Sequence, residues 1–102
     1  MDTFDPTRCY AHAPGMASRR IADDILLVPV RTDASQPTAV YTLNATAARM
    51  WELMDGTRTA ADIADCIARE FDGDPARIAD DVRHLTTDLL SICAIAPAET
   101  RR

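Results

Sequence analysis

One junction constrains this chain more than any other stretch: Val40-Tyr41-Thr42-Leu43-Asn44-Ala45-Thr46-Ala47-Ala48-Arg49-Met50-Trp51. Thr38 to Leu43 alternates apolar and polar, the period of a half-buried strand. Asn44 then offers a side-chain oxygen to free helical N–H groups, so it reads as an N-cap. Ala47, Met50, Trp51 and Met54 come next at helical spacing on one face. A strand thus passes into a helix with no linker. The chain before the junction reads as extended, and the chain after it reads as helical.

Upstream, residues 1–15 contain Pro6, Pro14 and Gly15 and no periodicity, so they are expected as a flexible tail. Met16 to Arg20 and Ile25 to Val28 have strand composition, with Asp23-Asp24 as the turn between them. Pro29 cannot donate to a ladder and ends its strand or marks an edge. Residues 31–37 form a polar connection. These pieces predict a three-stranded antiparallel sheet over about residues 17–43.

Downstream, the first helix is expected over 45–54, stopped by Asp55-Gly56. Thr59 and Asp62 have the spacing of a capping box, and Ile63, Ala64, Ile67 and Phe71 make the apolar stripe of a second helix. Asp72-Gly73 ends it. Asp74-Pro75 opens a third helix, proline being pre-organised for its first position. Ile78, Val82, Leu85 and Leu89 form its core stripe, and Arg77, Asp81, His84 and Asp88 form a polar stripe beside it. Ser91 marks its end, 92–95 read as a closing strand, and 97–102 as a second tail. The whole predicts an α+β fold: a small winged-helix-like domain over 16–96, a three-stranded antiparallel sheet followed by three helices.

Composition narrows the function. The 102 residues carry a net charge of −5, and every basic side chain is arginine. That balance disfavours nucleic acid. No stretch reaches the ~20 apolar residues of a membrane helix, and no signal peptide is seen, so the expected location is cytoplasmic. Cys9, Cys66 and Cys93 have neither disulfide nor zinc spacing. Cys9 and His12 lack an orienting third group for nucleophilic catalysis. No cofactor is expected.

The run Leu43-Asn44-Ala45-Thr46-Ala47-Ala48, then Trp51 to Thr59, then Asp62-Ile63-Ala64, resembles the PqqD-like family, and Asp74-Pro75 and Asp80-Asp81-Val82 fit it too. That family includes the pyrroloquinoline quinone biosynthesis D protein and recognition elements for ribosomally made, modified peptides. The resemblance covers about residues 20–95. It implies a non-enzymatic peptide chaperone that binds the leader segment of a precursor peptide. The leader adds as a strand and is presented to a modifying enzyme such as a radical S-adenosylmethionine protein. The residues so implicated are Thr38, Val40, Tyr41 and Thr42 on the strand edge, Val82 and Leu85 in a groove beside the third helix, and Arg77, Asp81, His84 and Asp88 on its rim.

Spacing alone leaves other readings open. Val82 and Leu85 also fit plain core, and the 77/81/84/88 stripe also fits a solvated face. Tyr41 fits either strand packing or a platform for the peptide. A DNA-binding winged helix is the first competing function, opposed by the acidic second and third helices. A dimerisation or scaffold module is the other, and a homodimer is compatible with all three readings.

Overall fold

The computed structural model describes residues 4–29 and 40–98. The elements run β1 (Cys9–His12), β2 (Met16–Ile21), β3 (Asp24–Pro29), β4 (Tyr41–Leu43), α1 (Ala45–Leu53), β5 (Asp55–Thr59), α2 (Ala60–Phe71), α3 (Pro75–Ser91) and β6 (Ile95–Ala98). The α+β class and the three helices keep the expected order. Two features depart from expectation: the described strands form two sheets, and the first of them lies in the segment expected as a tail.

The expected sheet is β2-β3-β4, antiparallel throughout. β3 is its centre, with Ile25 opposite Leu43 on one side and Arg20 on the other. Its turn falls at Ala22-Asp23, one residue earlier than Asp23-Asp24, with Ala22 at φ 55°. Pro29 closes β3 at the far end of the ladder, where the missing N–H costs little.

The second sheet, β5-β1-β6, corrects the tail assignment of residues 1–15. β1 is its central strand: Cys9 and His12 stand opposite Ala98 and Ile95 of β6, and Cys9 and Ala11 opposite Thr59 and Asp55 of β5. Tyr10 is 1% exposed, and its hydroxyl accepts a 3.0 Å hydrogen bond from the Asp5 amide. β6 also takes Pro97 and Ala98 out of the expected C-terminal tail.

β5 occupies the stretch expected as a link between helices. It is polar (Asp-Gly-Thr-Arg-Thr) and has little intrinsic strand preference, so pairing with β1 makes it a strand. Gly56 sits there at φ 87°, and a Cβ would also approach Ala11 and Ala98 at 3.5 and 3.6 Å. The positive φ is what requires glycine.

The helix boundaries are set by their caps. Asn44 Oδ1 accepts from Ala47 N–H at 2.9 Å. Thr59 and Asp62 complete the capping box at α2. Asp74 caps α3 by accepting from Ala76 N–H, with Pro75 next in the chain. The left-handed residue after α2 is Asp72 (φ 52°), not Gly73. Phe71, in the last turn of α2, projects past the packed part of the helix and is 47% exposed.

One continuous core joins the sheets and helices through Tyr10, Leu27, Leu43, Trp51, Ile63, Val82 and Leu89. It includes one orphan: the Thr86 hydroxyl on α3 is fully buried with no hydrogen-bond partner among the described residues. An unpaired buried hydroxyl carries its desolvation cost uncompensated. Thr86→Val keeps the β-branched shape and should raise stability by about 1 kcal/mol in urea unfolding. An unchanged or lower midpoint would mean that the hydroxyl is satisfied.

Candidate functional site

The site predicted from sequence is the outer edge of β4 together with the polar flank of α3. β4 pairs with β3 alone, so among the described residues its other side is open. In an antiparallel ladder, alternate residues turn their N–H and C=O groups to opposite sides. The outward set on β4 is therefore a template for another strand. The Asn44 cap fixes where that edge stops, because the chain turns into α1 immediately after Leu43.

Within β4, Leu43 is buried, Thr42 is exposed and Tyr41 is half-buried. Tyr41 therefore shares the inward face with Leu43, and its side chain reaches α3. Its hydroxyl donates to Asp88 Oδ2 at 3.2 Å. Burial, reinforced by the Asp88 carboxylate, raises the Tyr41 phenol above its ordinary value, so it stays protonated and able to donate. This contact ties the sheet edge to the third helix across 47 residues of sequence.

The other predicted residues divide. Val40 precedes β4 and is 54% exposed, a large apolar side chain held out beside the edge. Thr38 lies outside the described residues. Arg77, Asp81, His84 and Asp88 are all exposed on one flank of α3. Asp81 and Asp88 are seven residues apart, so they lie on the same face about 10 Å apart. Val82 (1% exposed) and Leu85 (8%) belong to the core cluster. Val82 also borders a different groove of about 380 Å³, bounded by Phe4, Ala60, Ala64 and Ala79.

Asp80 is the neighbour that sequence reasoning missed. It accepts from Arg83 at 2.6 Å and stands 3.6 Å from His84 Nδ1. The hydrogen bond from Arg83 holds its carboxyl below the usual range. The i,i+3 and i,i+4 spacings were the available signal. The pairing ties Arg83 to Asp80 and draws His84 toward the same carboxylate. Asp81 has no ion pair among the described residues.

The two residues weighed for nucleophilic chemistry have structural places. Cys9 is 4% exposed in β1. His12 lies parallel to Trp51, ring centroids 3.7 Å apart, with Nε2 2.7 Å from the Trp51 carbonyl oxygen. Among the described residues no three potential metal ligands converge, and no helix is long and apolar enough to cross a membrane.

The described residues thus form a small α+β domain whose unpaired β4 edge is tied to the flank of the third helix. A family model described as "Coenzyme PQQ synthesis protein D (PqqD)" matches residues 25–95. The chain belongs to that family. No curated protein matches the sequence. A solved structure described as "TbiB1 in Complex with the TbiA(beta) Leader Peptide" is similar to it in fold. The TM-score is 0.71, the identity is 20%, and the match covers 88% of this chain and 99% of that one.

Proposed function

We propose that this domain is a non-catalytic peptide chaperone acting in the cytoplasm. It binds the leader of a ribosomally made precursor peptide as an added strand on β4 and presents the remainder to a modifying enzyme. The observation that carries the reading is the open β4 edge held beside α3 by Tyr41 and Asp88. The PqqD family membership and the fold shared with a leader-bound protein support it.

Energetics say which contacts matter. Each backbone hydrogen bond gained contributes about 0.5–1.5 kcal/mol, while ordering each peptide residue costs about 1–2 kcal/mol. Pairing therefore sets register and leaves affinity to side chains. Val40 offers an apolar contact worth up to about 1.5–3 kcal/mol if fully covered. Asp81 and Asp88 line the same flank and favour a leader with cationic or hydrogen-bond-donating side chains. Val82 and Leu85 support the helix from beneath.

The test is a titration of synthetic leaders, taken from short reading frames beside this gene, against the full chain. A bound leader should slow amide exchange in Tyr41–Leu43. Charge reversal by Asp81→Lys, which leaves the Tyr41–Asp88 contact in place, should weaken binding about tenfold, roughly 1.4 kcal/mol, and leave the melting curve nearly unchanged. Unaltered affinity in this variant would remove Asp81 from the site. Leader binding without protection of β4 would overturn strand addition.

DNA binding gains nothing from the structure. Arg83, one of two arginines on α3, is neutralised by Asp80, and the exposed stripe retains Asp81 and Asp88.

A further inference from the structure

The sheet that carries β4 has a second border. β2 pairs with β3 alone, and among the described residues its outer side is open. At six residues it is twice the length of the three-residue β4. Ala17 to Ile21 are exposed, so this arm of the β2–β3 hairpin stands clear of the core.

Its chemistry is opposite to that of the α3 flank. In a chain of net charge −5, β2 carries two consecutive arginines, Arg19 and Arg20, one on each face of the strand. Arg20 forms an ion pair with Glu52 of α1. Arg19 has no carboxylate partner among the described residues. Arg49, Arg58 and Arg83 are each held by a carboxylate, whereas Arg77 of α3, like Arg19, has none among the described residues.

We propose that the β2 edge docks an acidic extended segment of the modifying enzyme. This rests on the reading of the domain as a link between peptide and enzyme. A second copy is the poorer occupant. Antiparallel pairing of β2 with itself would bring two unneutralised Arg19 side chains into one two-stranded ribbon, and like charges at close range oppose such a pair. Arginine on a bare border guards against that self-pairing and at the same time favours glutamate or aspartate on an incoming strand. The surface offers little apolar area apart from Ile21, which is 52% exposed. The contact is accordingly weak alone. It gains strength when the leader on β4 engages the same enzyme, because two linked contacts raise the effective concentration of each.

The experiment uses the full chain labelled with ¹⁵N. Three capped hexapeptides are the probes: alternating glutamate and valine, alternating lysine and valine, and the glutamate peptide N-methylated on alternate amides, made in both alternations. The glutamate peptide should shift and protect the amides of Met16–Ile21. The lysine peptide should not, and one of the N-methylated versions should lose the effect. Arg19→Glu should abolish binding of the glutamate peptide, and Arg19→Ala should weaken it, with the rest of the spectrum preserved. Absence of shifts at Met16–Ile21, or equal shifts with the lysine peptide, overturns the proposal. Leader titration read at Tyr41–Leu43 in the Arg19 variants separates the two readings. Leader binding should survive there, and its loss from the unmodified chain would bear on β4 alone.

Discussion

Tyr10→Ala is expected to destabilise the domain by about 3–5 kcal/mol, the range for removing a large aromatic side chain from a packed core. Tyr10 is 1% exposed on the central strand of its sheet, so the cavity would open where β5, β1 and β6 meet. Typical domains have about 5–15 kcal/mol in all, so the variant would stand near the threshold of folding. Urea unfolding followed by circular dichroism measures the change. Tyr10→Phe isolates the hydroxyl, which accepts from the Asp5 amide, and should cost about 1 kcal/mol. A loss below about 1 kcal/mol in the alanine variant, less than one ordinary hydrogen bond, would show that β1 is not integral to the core.

Trp51→Ala is the second large effect, again about 3–5 kcal/mol. Trp51 is 3% exposed on α1 and meets His12 of β1 in a parallel stack. Its loss removes core volume and one of the bridges between the β1 sheet and the first helix. His12→Ala separates the two contributions. It leaves the core filled and deletes the stack and the 2.7 Å contact to the Trp51 carbonyl, and should cost about 1–2 kcal/mol. Because Trp51 is the sole tryptophan, its fluorescence reports the change directly: His12→Ala should shift the emission toward that of a wetter indole. Identical emission in the two proteins would remove the bridging role.

What could be read from sequence was local. Asn44, the Thr59–Asp62 pair and Asp74-Pro75 each satisfy helix-end groups with neighbours three or fewer residues away, so all three helix starts were legible. The β2-β3-β4 sheet was legible because Ile25 to Val28 and the approach to Leu43 carry strand composition. The second sheet was not. Cys9–His12 and Asp55–Thr59 become strands through partners far away along the chain, as in Cys9 with Thr59 and Ala98 and Ala11 with Asp55. Neither segment has a pattern that announces this. In the site, the stripe of Arg77, Asp81, His84 and Asp88 was visible as a period. Its anchoring to the sheet was not, because Tyr41 meets Asp88 only once α3 has folded back across β4. The engagement of Arg83 and His84 with Asp80 was within reach of helix spacing rules.

The pairing of Cys9 with Ala98 also bears on how the molecule comes into being. A nascent chain can close the hairpin of β2 and β3 early and wind each helix as it emerges. Tyr10 stays without one of its sheet neighbours until Ile95–Ala98 have left the ribosome. Closing so long a loop is entropically costly and slow compared with local pairing. During synthesis the domain therefore passes through a stage with β1 half-sheltered, which ends only when β6 pairs with it.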